Sequence, residues 1–154
     1  MSTKLKCIRD IVYHWGVQLV IGNYYTIERF ENRERTIITD YDKYFEINSQ
    51  VAGTIHDLRK DNADTKSIGE SNRKLISFQK QNYTKRVSVP YIIINSESGS
   101  KLSFIGLTRQ EMFELGCDKD RFGNPSVDVS YYLIDDFFET VSFRRGLRLN
   151  ELGI

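Results

Sequence analysis

Histidine, cysteine and proline each occur only twice in the 154 residues, and tryptophan once. Two cysteines, Cys7 and Cys117, are too few for a disulfide-stapled scaffold and suit a reducing cytosol. No apolar run approaches the roughly 20 residues that a membrane-spanning helix needs. The opening Met1-Ser2-Thr3-Lys4 leads into charged sequence rather than an apolar core, so no signal peptide is expected. An excess of one charge is missing too: 22 basic residues stand against 21 acidic ones, for a net +1. A general polyanion binder of the histone kind would show a clear basic surplus.

The scarcity of histidine bounds the chemistry. A Ser-His-Asp or Cys-His arrangement would have to use His14 or His56, and neither lies in a recognised catalytic signature. An enzyme of unfamiliar type built on one of them is the third-ranked reading. His14 precedes Trp15 and reads as a partly buried loop residue. The four Cys and His side chains, at positions 7, 14, 56 and 117, have no close partner at zinc-ligand spacing. Asp118, Asp120 and Gly123 sit at EF-hand positions, but Phe122 and Val129 stand where oxygen ligands are needed, so the stretch reads as a polar loop. No glycine-rich phosphate loop is present. Asp135, Asp136 and Glu139 could form an acid cluster. Adjacent residues of a strand point to opposite faces, however, which favours a solvated edge. No catalytic residue, metal or cofactor is therefore expected.

What is abundant is aromatic: nine Tyr and nine Phe, in a chain that is 40% hydrophobic and 28% charged. That composition is globular, and its aromatic and β-branched content favours strands. Short strand signals recur: Lys4-Leu5-Lys6-Cys7-Ile8-Arg9, then Val17 to Ile21 closed by a Gly22-Asn23 turn, then Tyr24 to Ile27. Thr36 to Thr39 follows, stopped by Asp40-Tyr41-Asp42, and then Lys43 to Ile47. Residues 56–74 turn polar and read as a linker or a short helix. Strand signals resume at Leu75 to Gln79, and again where Val87, Val89, Tyr91 and Ile93 alternate, with Pro90 favouring an edge or a bulge. Ser96 to Gly99 reads as a hairpin loop before Lys101 to Ile105. Thr108 and Glu111 have capping-box spacing for a helix near 108–115, with Gly116 as its stop. Residues 126–143 favour a strand, with a helix over 131–141 as the alternative, and the tail 144–154 is expected to be partly ordered.

Charge is segregated within the second half. Residues 71–96 hold no acid, but carry Arg73, Lys74, Lys80, Lys85 and Arg86, with Phe78, Tyr83 and Tyr91 interleaved. Cations and aromatics so mixed can bind single-stranded nucleic acid. A solvated hairpin with core aromatics is the plainer reading. Residues 110–140 hold eight acids, Glu111, Glu114, Asp118, Asp120, Asp128, Asp135, Asp136 and Glu139, against Lys119 and Arg121. If exposed together, all of these acids but Asp128 form an acidic partner face.

Four stretches carry a resemblance: Lys4-Leu5-Lys6-Cys7-Ile8-Arg9-Asp10; Leu19-Val20-Ile21-Gly22-Asn23-Tyr24-Tyr25-Thr26-Ile27; Ile37-Ile38-Thr39-Asp40; and Tyr44-Phe45. Together they resemble small SH3-like barrel proteins of bacteriophages, over residues 4–48. Residues 11–18 form a longer stretch than such proteins have there. The resemblance implies a phage or mobile-element origin and a cytosolic interaction module, and it transfers no functional residue.

The expected fold is therefore mostly β, a β-rich α+β chain. An SH3-like barrel over 1–55 leads through 56–74 into a β-rich region over 75–154. The expected function is non-catalytic: a phage accessory or host-takeover factor, in the host cytoplasm, docking on a host protein. The alternative is nucleic-acid binding through Arg73, Lys74, Phe78, Lys80, Tyr83, Lys85 and Arg86. Membrane association is not expected.

Overall fold

The structure, a computed structural model, describes residues 3–60 and 65–140. The tail 144–154, the end of the expected strand at 141–143, and residues 61–64 of the expected linker lie outside the described residues. The fold is mixed α+β, with strand and helix in similar proportion. In chain order the elements are β1 (Lys4–Lys6), β2 (Ile11–Tyr13), β3 (Gly16–Leu19), β4 (Tyr24–Ile38), α1 (Tyr41–Lys60) and α2 (Thr65–Tyr83). β5 (Thr84–Asn95), β6 (Lys101–Ile105), α3 (Arg109–Glu114) and α4 (Ile134–Phe137) follow.

The strands make an open four-stranded sheet, ordered β1-β4-β5-β6, and a separate β2–β3 hairpin. Neither closes into a barrel, which corrects the SH3-like expectation for the first 55 residues. Two compact units divide the chain, and each is discontinuous in sequence. The first holds residues 1–34, 88–109 and 130–154; the second holds 35–87 and 110–129.

In the first unit, alternation along the strands builds the core. Leu5 pairs with Tyr25 across β1–β4, and Ile92 and Ile94 pair with Phe104 and Leu102 across β5–β6. Phe104 is fully buried, with Phe138 edge-on at 5.2 Å and Phe137 at 5.7 Å. Burying rings of this size contributes about 1.5–3 kcal/mol each. The Ser96 to Gly99 turn joins β5 to β6 as the sequence indicates, with the Ser96 N–H donating to Ser100 O. Pro90 is not on an edge strand, since β5 lies between β4 and β6. Continuing the β5–β6 register sets Pro90 opposite Gly106, whose N–H donates to Pro90 O at 2.8 Å; the reciprocal bond is the one proline cannot make, and regular pairing starts one residue later, at Tyr91.

The expected strand over 126–143 is absent from the described residues. Only single bridges form, at Val127, Leu133 and Phe138, with one turn of helix at α4. Phe137 O still accepts from Ile8 N–H, and Glu139 N–H donates to Lys6 O, so this stretch laces onto the β1–β2 connection by isolated bonds.

In the second unit, two expected strands, Lys43 to Ile47 and Leu75 to Gln79, are helical, and residues 56–74 complete the same two helices wherever they are described. The reason is local. Asp40, expected to stop a strand, caps a helix: its Oδ1 accepts from Lys43 N–H at 3.1 Å. Tyr44, Ile47, Val51 and Ile55 then recur at helical spacing on the less exposed side of α1. α2 answers with Asn72, Leu75, Gln79 and Tyr83. The contact is partly polar. Gln79 is 4% exposed, and its Nε2 donates to Tyr44 O at 2.7 Å and to Asn48 Oδ1 at 2.6 Å. The helix expected near 108–115 is present as α3, and it ends where Gly116 adopts a φ of +104°.

Candidate functional site

Apolar side chains left bare concentrate in the first unit, between β1 and β4. Val12 is 67% exposed, Trp15 63% and Val17 44%, and Val20, Ile21 and Tyr24 join them. Val12 and Val17 are partners across the β2–β3 hairpin, so they share its front face. Trp15 sits at the hairpin turn, 4.7 Å from the Tyr13 ring and 4.8 Å from His14. Monomeric proteins seldom leave contiguous apolar patches of this kind without an interaction to serve.

The back of the same hairpin is fastened down. Ile11 and Leu19, also cross-strand partners, are buried in the core. Tyr13 and Tyr132 share a hydroxyl–hydroxyl bond of 2.8 Å. Burial, and then that bond, push the Tyr132 phenol up to about 12. Gln18 is fully buried, and its Oε1 accepts from Ser96 Oγ at 2.9 Å and Ser98 Oγ at 2.8 Å. Its backbone carbonyl accepts from Glu97 N–H at 2.9 Å. Glu97 Oε1 in turn accepts from Tyr25 Oη at 2.7 Å and Asn23 Nδ2 at 2.8 Å. The apolar front is thus held on a scaffold rather than on a loose loop, which lowers the ordering cost of binding.

Cations flank this patch on its β1 side. Lys6 stands opposite Tyr24 in the β1–β4 ladder, so the two share a face. Lys4, Lys6 and Arg9 form no ion pair among the described residues; Arg9 lies over the Phe137 ring at 5.2 Å. The one acid between Thr3 and Ile27 is Asp10, whose Oδ1 is occupied by the Ile21 N–H at 2.7 Å.

The residues singled out by charge fall elsewhere. Arg73, Lys74, Lys80, Lys85 and Arg86 are all exposed in the second unit, with Phe78 half-exposed and 5.8 Å from Tyr83. Tyr91, at the far end of that window, is buried in the first unit beneath the Arg33 guanidinium, 4.5 Å from its ring centre. The acidic run is divided between the units. Glu111, Glu114, Asp118, Asp120 and Asp128 lie in the second, and Asp135, Asp136 and Glu139 in the first. Several of these carboxylates are occupied locally. Asp118 accepts from Tyr41 N–H at 2.8 Å, at the start of α1. Asp120 accepts from the Phe122 and Asn124 N–H groups, closing the loop read from sequence as polar. Asp136 pairs with Arg109 at 2.8 Å, and Asp135 accepts from Thr140 Oγ1.

His14 is exposed rather than partly buried, because it sits in the hairpin turn; His56 is exposed on α1. Neither donates to or accepts from a carboxylate among the described residues. Both thiols are buried. Burial raises the Cys7 thiol, and burial again, outweighing a bond to Ser126 O, pushes Cys117 up to about 11, so neither is poised as a nucleophile. Among the described residues no group of three or more His, Cys, Asp and Glu side chains is placed to hold a metal, and no helix is long and apolar enough to cross a membrane. No protein-family model, characterised protein or solved structure matches the chain.

Proposed function

We propose that the chain is a non-catalytic binding protein that docks on another protein through the front of the β2–β3 hairpin. It acts as an accessory factor of the kind bacteriophages encode, modulating a host protein in the host cytoplasm; the short N-terminal motifs suggest that setting, although no closed barrel accompanies them. The observation that carries the docking reading is the exposed Val12–Val17 pair beside Trp15, on a hairpin whose back is tied to the core. Covering such a surface gains about 25 cal/mol per Å² of apolar area. Trp and Tyr anchors commonly cost about 2 kcal/mol or more when truncated at an interface. Lys4, Lys6 and Arg9, which form no ion pair among the described residues, favour a partner whose apolar recess is edged by Asp and Glu.

The test is affinity capture from bacterial lysate treated with nuclease, comparing the wild type with a Val12→Ser, Val17→Ser double variant. A partner retained after nuclease and lost from the double variant supports the reading. Identical capture by both proteins, with the fold of each checked by circular dichroism, refutes it.

A further inference from the structure

The exposed side of α2, in the second unit, carries another surface. Arg73, Ile76 and Lys80 form one row at i, i+3 and i+7, and Lys74, Phe78 and Gln81 form the adjacent row. All six are exposed, whereas Gln79 is turned inward and Asn72, Leu75 and Tyr83 are only partly exposed. Arg73, Lys74, Lys80 and Lys85 have no ion-pair partner among the described residues; Arg73 Nε donates to Gly69 O at 3.3 Å. Glu70, one turn earlier, is exposed and pairs with none of them. Arg73, Lys74 and Lys80, without an ion-pair partner among the described residues, thus share the α2 face with a phenyl ring that is 49% exposed, and Lys85 follows at the start of β5.

We infer that this face binds a single strand of nucleic acid. The charges are complementary to a phosphodiester backbone, and about 10 Å of helix axis separates Arg73 from Lys80, enough to contact more than one phosphate. The ring decides between polyanions. An acidic peptide would use the cations alone and would have no need of a bare Phe78. A single strand uses both, with the backbone on the cations and a base stacked on the ring. Phe78 rests edge-on against Tyr83 at 5.8 Å, which holds its ring in place. Stacking of this kind does not select sequence, so the strand is bound without strong base preference.

The experiment is fluorescence anisotropy with the full chain, a labelled oligothymidylate of about 20 nucleotides, and polyglutamate of similar charge as the second probe. Binding of the oligonucleotide should weaken with salt at a log–log slope near −3, about −0.7 for each of the four cations. Changing Arg73, Lys74, Lys80 and Lys85 together to Ser should abolish most of that slope. Phe78→Ser should weaken oligonucleotide binding by about 5- to 150-fold and leave any polyglutamate binding unchanged. Both variants alter exposed side chains, and circular dichroism checks that the helices persist. Val12→Ser should bind the oligonucleotide as the wild type does. Three results would overturn the inference: no oligonucleotide binding at low salt, binding indifferent to both variants, or polyglutamate bound as tightly as the oligonucleotide with Phe78→Ser silent. The last would assign the face to an acidic protein segment.

Discussion

The Tyr25 hydroxyl donates to Glu97 at 2.7 Å while accepting from the Val20 N–H at 2.9 Å, so one buried phenol ties the turn before β4 to the turn between β5 and β6. Burial first, and then the bond to the carboxylate, push the phenol up to about 12. The same bond, with that from Asn23, holds Glu97 below the ordinary carboxylate range.

The pH dependence of stability follows in sign. A phenol with a folded value of about 12 against an ordinary 10 contributes stability that is fully present below pH 10 and lost as pH rises toward 12. Tyr132 acts in the same window, and Cys117, raised from 9 to about 11, starts lower. Urea unfolding at a series of alkaline pH values should show falling stability, with a shallower fall in Tyr25→Phe above pH 10. Parallel curves for the two proteins would contradict this. At the acid end Glu97 works the other way: its contribution is present above the ordinary carboxylate range and lost as pH falls through the lowered value, a loss that Glu97→Gln should lack.

Gly22→Val should destabilise the first unit by about 1–3 kcal/mol. Gly22 has a φ of +91° in a turn closed by the Asn23 N–H donating to Val20 O at 3.1 Å. A β carbon there would meet nothing within 4 Å, so the cost is conformational and not steric crowding. Gly22→Asn, which tolerates positive φ better, should recover part of it. A melting temperature equal to that of the wild type in Gly22→Val would show the turn to be wrongly placed.

The α1–α2 contact makes two opposite predictions. Gln79→Ala removes both bonds made by the buried amide and should cost about 1–3 kcal/mol, read by chemical denaturation with helical circular dichroism as the probe. Asn72 Oδ1 is buried with no hydrogen-bond partner among the described residues. Asn72→Leu should therefore stabilise the second unit by about 1 kcal/mol, by removing an unpaired carbonyl. Destabilisation by Asn72→Leu would mean that the amide is needed where it stands.

Which features were legible in the sequence depends on how local their causes are. The Gly22-Asn23 turn, the Ser96 to Gly99 hairpin loop and the short helix before Gly116 are set within a few residues, and the structure has each of them. The long helices were not legible, because Lys43 to Ile47 and Leu75 to Gln79 look like strands in a short window. Their helical period emerges only over Tyr44, Ile47, Val51 and Ile55. Asp40 misled for the same reason: a turn signal and a helix cap use the same carboxylate. The basic residues of the α2 face stood out as a charge run. The hairpin patch did not, because Val17 and Leu19 are two apart and would share a face of a regular strand; the register shift opposite Ile11 and Val12 is what leaves one bare and the other buried. Only packing shows which pair is buried and which is bare.

Trp15 is the one tryptophan of the chain and sits on the proposed docking surface, so its emission reports on that surface alone. The most direct test titrates the purified protein with the nuclease-resistant partner and follows Trp15 emission and its quenching by acrylamide. Docking through the hairpin predicts a blue shift and protection from the quencher that saturate with complex formation, with affinity reduced at least about 30-fold in the Val12→Ser, Val17→Ser variant. A complex that forms at full affinity while Trp15 stays red-shifted and freely quenched would contradict the account.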